Sequence, residues 1–318
     1  MFSKLEILKS KKDEAFAFLE NCGLCPRKCG VNRLKGKQGF CKTLLNPLVY
    51  SYSAHHGEEP VISGVNGSGT IFFSMCNLRC EFCQNNQFSQ ERAGKEVNAE
   101  DLADIMLELQ SKGCHNINLV TPSHNIPQII NALYIAFQKG LHLPIVYNSN
   151  GYDSVEALRL LDGIVDIYLP DMKYGSNKSA AKFSFAENYV ETAKLSIKEM
   201  FRQVGGLVIK DGIAQKGLIV RHLVLPNNLA NTEEVMNFLA RDISKNVHVS
   251  LMKQYHPCHK AFDFPEISRN ITDQEYEQAY MFFLEAGLEN GWVQDDLEDV
   301  RQKFLGERMR KEKDWGRF

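Results

Sequence analysis

Residues 67–86 read GSGTIFFSMCNLRCEFCQNN, and the reading of this stretch decides the fold. Glycines lead into an apolar strand, Ile71-Phe72-Phe73, which runs straight into Cys76, Cys80 and Cys83. Three thiols spaced C-x-x-x-C-x-x-C at the end of one strand can converge on one face of a tight loop. Soft sulfur ligands so placed suit zinc or an iron–sulfur cluster. A closed structural site normally takes four ligands, whereas three leave a position open, which is where chemistry happens. A zinc knuckle completed by a distant histidine is the rival reading. The barrel-like periodicity that follows the motif argues for the open site.

Toward the N-terminus lies a second cysteine group, Cys22, Cys25, Cys29 and Cys41, in NCGLCPRKCGVNRLKGKQGFCK. Joined by Gly and Pro turns, these form a closed set of four, which fits either tetrahedral zinc or a second iron–sulfur cluster. Two disulfides are the bland alternative, and a reducing compartment argues against them. Between the two groups, VYSYSAHHGEEPVIS reads as short extended pieces and turns, with His55, His56, Glu58 and Glu59 in a polar loop. Gly64, Gly67 and Gly69 precede a strand and do not join strand to helix, so a turn and not a phosphate loop is expected.

Toward the C-terminus the chain alternates. Apolar runs at Ile117–Val120, Ile145–Asn148, Asp166–Leu169, Leu218–Leu225 and Val247–Met252 join Ile71–Ser74 as six candidate strands. Helix-period segments lie at Ala99–Gln110, Pro127–Gln138, Ser154–Leu161, Phe185–Phe201, Thr232–Ala240 and Asp273–Glu285. Apolar strands separated by amphipathic helices imply parallel pairing with right-handed crossovers. The expected fold is α/β, an open, partial (β/α)6 barrel over 67–287. A Cys-rich extension (1–66) precedes it and a charged helical tail (288–318) follows. Active residues in such folds sit at the C-terminal strand ends. Those ends carry Cys76–Cys83, Thr121–His124, Asn148–Gly151, Asp171–Lys173 and Tyr255–His259, with Arg221 within the fifth strand. Cys114 is expected in the core and Cys258 as a free thiol. Asp171 and Lys173 read as site residues in preference to an exposed ion pair of little worth.

The three-cysteine spacing, with Phe82 before the last cysteine, resembles the signature of the radical S-adenosylmethionine (SAM) enzymes. Residues 69–287 resemble the pyruvate formate-lyase activating enzyme branch, and the whole chain resembles an uncharacterised group of its homologues. The resemblance implies a [4Fe-4S] cluster on Cys76, Cys80 and Cys83, with SAM on its fourth iron. It further implies SAM or cation contacts from Ser123, Asn148, Ser149, Asp171, Lys173, Arg221 and His256. Two departures stand out: Thr121-Pro122-Ser123-His124 replaces the family's Gly-Gly-Glu turn, and Asn148 replaces an aspartate. By the same resemblance an electron comes from a flavodoxin or ferredoxin. The substrate is then a glycine of a partner enzyme; another peptide, protein or small molecule is the alternative. A non-catalytic metal-binding docking module is the third reading.

Composition agrees with these classes and excludes others. With 44% apolar residues among 318, the chain can fill a sizeable core, and a net charge of -2 gives no argument for nucleic acid or an anionic membrane. No apolar run is long enough to span a bilayer. Nine clustered cysteines and a charged N-terminus unlike a signal peptide point to a reducing cytoplasm.

Overall fold

The computed structural model describes residues 3–294; the charged tail expected beyond them lies outside the described residues. The chain opens on α1 (Lys4–Ala17), started by a reciprocal Ser3–Glu6 capping box. The irregular cysteine-rich segment follows, then β1 (Leu48–His55), α2 (Pro60–Ser63), β2 (Ser68–Phe73), α3 (Asn86–Ser89) and β3 (Lys95–Glu96). The alternating part comprises α4 (Ala99–Ser111), β4 (Ile117–Val120), α5 (Ile126–Gln138), β5 (Ile145–Asn148), α6 (Val155–Arg159) and β6 (Ile167–Tyr168). It continues through α7 (Asn177–Ser184), α8 (Tyr189–Val204), β7 (Val208–Lys210), β8 (Ile213–Leu223), α9 (Thr232–Phe238), β9 (His248–Met252), α10 (Asp273–Glu285) and β10 (Gly291–Val293).

One ten-stranded sheet runs in the order β10-β9-β8-β6-β5-β4-β2-β1-β3, with β7 on the side of β8. Strands β2, β4, β5, β6, β8, β9 and β10 are parallel, while β1 returns antiparallel to β2. This is the expected α/β architecture, with a partly parallel sheet whose two ends do not pair with each other. Along each strand successive side chains point to opposite faces. Ile71, Phe73, Ile117, Leu119, Ile145, Tyr147, Leu218 and Val220 join the core under the helices. Their neighbours Val146, Ile167, Leu169 and Ile219 form a smaller inner core around Ile62 of α2. That inner core marks the lumen, and α2 plugs it.

Helices α4 and α5 bury Leu102, Ile105, Met106 and Leu109, and Ile126, Ile129, Ile130 and Leu133. At roughly 1.5–3 kcal/mol per fully buried large apolar side chain, these rows hold the helices on the sheet.

Several details differ from expectation. The helix expected from Phe185 begins at Tyr189 as α8; Phe185 itself takes a left-handed φ of 55 and ends α7, a separate helix that was not expected. Strand β10 extends the sheet beyond residue 287, where a tail was expected. The extended piece expected before His55 is β1, paired with β2, but the loop after it is not simply polar and exposed, since His55 and Glu59 are buried. The Cys-rich extension thus shares the barrel's sheet. No helix among the described residues is long and apolar enough to cross a membrane.

Candidate functional site

Strand β2 is buried along its whole length and delivers the thiol loop at the barrel mouth. Met75 turns the chain there with a left-handed φ of 69, and its N–H donates to the Phe88 carbonyl. Each thiol then meets a hydrogen-bonding group. Cys76 Sγ accepts from Leu78 N and from Asn150 Nδ2, both at 3.3 Å. Cys80 Sγ accepts from Ser184 Oγ at 3.0 Å, and Cys83 Sγ lies 3.3 Å from Ser89 Oγ. Burial pushes Cys76 up to about 12 and Cys80 up to about 11, against an ordinary 9.0. Thiols in this setting ionise on binding a metal and not before.

The loop is clamped from two sides. The carboxyl end of α7 accepts backbone hydrogen bonds from Arg79 and Glu81. The 255–260 turn docks opposite: Lys260 N donates to Glu81 O, Cys258 Sγ to Phe82 O, and His256 Nδ1 lies 3.4 Å from Gln84 Nε2. His256 and Cys258 therefore reach the loop as one turn.

Beside the loop stand the ends of β5 and β6. Asn150 Nδ2 also donates to Asn77 Oδ1, and Ser149 Oγ to Asp153. Lys173 Nζ pairs with Asp171 Oδ2 at 2.5 Å. Burial alone would lower the lysine pKa, yet Asp171 and the neighbouring Cys80 hold it raised. The Tyr189 hydroxyl ties both ends together, accepting from Lys173 N and reaching the Asn150 and Asp171 carbonyls. At the end of β4, Thr121 adopts a left-handed φ of 58, costly for a β-branched residue. Ser123 is buried beside Tyr147 and Asp153 and works to lower the pKa of both. His124 Nε2 donates to Ser74 O, so Nδ1 is left as a bare acceptor, buried and unpartnered. Burial lowers this ring to about 4, so it is neutral.

Arg221 is gripped from below. It donates to Glu59 at 2.8 and 2.7 Å, to Glu58, and at 3.4 Å to Asn148 Oδ1. The two glutamate side chains are 7% and 5% exposed, so both carboxylates are inside the barrel. Sequence reading missed this pair, because its partner lies 163 and 162 residues away. A cavity of about 230 Å³ adjoins it.

All four N-terminal cysteines are free and three are buried. Cys29 Sγ accepts from Phe40 N at 3.4 Å, and a Cβ on Gly39 would fall 2.8 Å from that sulfur. Arg27 stacks 3.8 Å over Phe40 and donates to Asn77 O, so the segment packs on the Cys76 loop. Among the described residues no three His, Cys, Asp or Glu side chains close around a point as on a single metal ion. A four-iron cluster fits Cys76, Cys80 and Cys83 better than one ion does, since soft ligands there serve separate irons.

A family model described as Radical SAM superfamily matches residues 70–239. An uncharacterized protein of Methanocaldococcus jannaschii is 34% identical over 287 residues, covering 87% of this chain and 78% of that protein. Among solved structures, the [FeFe]-hydrogenase maturase HydG is similar at TM-score 0.48 and 14% identity, over 68% of this chain and 48% of that one. Methylornithine synthase PylB is similar at 0.46 and 13%, over 78% and 76%. Streptococcus suis SuiB, bound to precursor peptide SuiA, is similar at 0.46 and 14%, over 70% and 47%. The chain thus spans about half the length of the first and third of these structures.

Proposed function

Because the chain belongs to the Radical SAM superfamily, we propose that Cys76, Cys80 and Cys83 hold a [4Fe-4S] cluster that, with SAM, drives hydrogen abstraction from a substrate. The observation that carries this reading is the open set of three thiols at the end of β2, each with its own hydrogen-bonding neighbour. When bound, the cluster and SAM supply one-electron reductive cleavage to methionine and a 5′-deoxyadenosyl radical.

The protein's own residues orient and shield that chemistry. Asn150, Ser184 and Ser89 fix the thiol rotamers, as outer partners of metal ligands do. Asp171, Lys173, Asn148, Ser149 and His256 stand around the loop as candidates for SAM contacts. The bare His124 Nδ1 acceptor and Ser123 occupy the turn where the activating enzymes carry a glutamate. Neutral acceptors hold an ammonium less strongly than a carboxylate does. Arg221 was expected among the SAM contacts; its grip on Glu58 and Glu59 favours a share in the lumen wall instead. The four N-terminal cysteines form a second metal site packed on the first loop, zinc or cluster. A flavodoxin or ferredoxin donates the electron.

For the substrate, a glycine of a partner enzyme is one reading and another peptide, protein or small molecule the second. The missing glutamate turn and the glutamate pair in the lumen favour the second. Anaerobically reconstituted protein should bind SAM and release 5′-deoxyadenosine after dithionite reduction. Cleavage that survives replacement of all three cysteines by alanine refutes the assignment. Iron and zinc analysis of Cys25→Ala, which should lower stability while sparing the first cluster, tests the second site.

A further inference from the structure

Arg33 lies between Cys29 and Cys41, on a loop whose two ends belong to the second cysteine group. Backbone bonds hold the start of that loop against the segment before it. Cys22 N donates to Val31 O, Gly30 N to Cys22 O, and Arg33 N to Leu19 O. From there the Arg33 side chain runs into the protein, where the residue is 1% exposed. Its Nε and Nη2 donate to Leu44 O at 3.0 and 2.6 Å, and its Nη1 donates to His124 O at 2.7 Å. Among the described residues no carboxylate is paired with it. A guanidinium buried against carbonyls alone is costly, so its place needs a reason.

That reason is the turn it grips. Thr121 holds a left-handed φ of 58 there, and strained backbone persists only where its surroundings over-determine it. The turn's own side chains supply little of that support. His124 Nδ1 and both polar atoms of the Asn125 amide are buried without partners. The hold comes from either side instead. His124 Nε2 donates to Ser74 O at the root of the first thiol loop, and Arg33 takes the His124 carbonyl from the N-terminal segment. A second tie runs between the same two parts, from Gln128 Nε2 in the first turn of α5 to Leu45 O. Bonds from a charged donor are short and strong. The planar fork of Arg33 also reaches two carbonyls at once, a geometry that the point charge of a lysine does not reproduce.

We propose that Arg33 is a positioning residue by which the N-terminal cysteine site sets the Thr121–His124 turn, so that SAM affinity depends on metal held by Cys22, Cys25, Cys29 and Cys41. Metal closes both ends of the Arg33 loop and fixes the guanidinium. Without metal the loop loosens, the His124 carbonyl loses its donor, and the turn relaxes from its strained form. The inference rests on the radical SAM reading for the ligand and on metal at the four cysteines.

The test uses the full, anaerobically reconstituted chain. SAM is titrated calorimetrically, and hydrogen exchange read by mass spectrometry follows the peptide 121–128. Cys25→Ala, which empties the second site, and Arg33→Lys should each weaken SAM at least tenfold, with iron analysis showing the first cluster retained. In both, the 121–128 amides should exchange at least tenfold faster and those of α8 should not change. The double variant should bind no more weakly than the weaker single one, because both changes act through one tie. Independent structural damage would multiply the two losses. SAM affinity within twofold of wild type in either variant, unchanged exchange over 121–128, or multiplied losses overturns the proposal. Should Arg33→Lys not fold, exchange at 121–128 against α8 in Cys25→Ala decides, with Gly39→Ala as a milder loss of the same metal. Wild-type protein that binds no SAM sinks the parent reading, and exchange still judges the tie. Wild-type SAM binding that ignores both substitutions sinks the tie alone.

Discussion

Arg221→Ala removes the cation from two carboxylates whose side chains are 7% and 5% exposed. Removing one partner of a buried pair costs about 3–5 kcal/mol, because an uncompensated charge is left behind. The cost should depend on pH in a way that identifies its origin. In the wild type burial works to raise the Glu59 pKa, and Arg221 overcomes it and holds the carboxyl below its usual 4.5. That group contributes stability above the unfolded value and loses it as pH falls through the folded one. In the variant only the hydrogen bonds from the Glu59 backbone and Ser250 still oppose burial, the larger cause, and the folded pKa is expected to rise above the unfolded value. The folded variant then binds protons more readily than the unfolded chain, so its stability recovers as pH falls from neutral. Urea unfolding followed by far-ultraviolet circular dichroism, anaerobically, near pH 7.5 and pH 5.5, reads both effects. The difference between wild type and variant cancels titrations they share. A deficit below about 0.5 kcal/mol at neutral pH, typical of an ordinary surface change, refutes the reasoning. A deficit that does not shrink in acid refutes it too. Replacing Glu58 and Glu59 by glutamine together with Arg221→Met should restore most of the loss, as neutral replacements of buried ion pairs often do.

Other outcomes follow from the site. Ser184→Ala and Asn150→Leu each remove a donor to a cluster sulfur, so the midpoint potential of the loaded enzyme should fall. Potentiometric titration followed by electron paramagnetic resonance reads this, and an unmoved potential counts against the hydrogen bonds. Gly39→Ala places a methyl 2.8 Å from Cys29 Sγ and should lower metal retention at the second site, with the first cluster spared; elemental analysis checks it. His124 and His222 are both lowered by burial from 6.5 to about 4. Folded pKa values below the unfolded ones mean that stability is full above pH 6.5 and lost as pH falls toward 4. The loss by pH 5 is about 2 kcal/mol per ring. Denaturant midpoints that stay flat from pH 7 to pH 5 contradict this.

The sequence was most legible where short apolar runs met a single chemistry. Ile117–Val120 and Ile145–Asn148 were read to the residue, because each is a short, mostly apolar run between two helix-period segments. The thiol loop was legible because ligand spacing is local. The helix after β6 was misread because an apolar stripe does not reveal where Phe185 turns left-handed between α7 and α8. Strand β10 gives no local signal, since three residues acquire strand geometry only by pairing with β9. The Glu58–Glu59 pair was invisible for a physical reason: adjacent acids normally face water, and only Arg221, far along the chain, makes their burial tolerable.

That separation bears on how the protein is made. Glu59 leaves the ribosome 162 residues before the guanidinium it must meet. At about 5–20 residues per second, the interval is roughly ten to thirty seconds. Through that time α2 cannot settle inside a barrel whose β8 does not yet exist, and Ile62 stays without its inner-core neighbours on β5, β6 and β8. The nascent β1–β2 hairpin must therefore wait, with the three thiols of its outgoing loop already synthesised and still unshielded by α7. Loss of the interior lock late in synthesis would leave that hairpin as an exposed sheet edge, the kind of surface on which chains pair with one another.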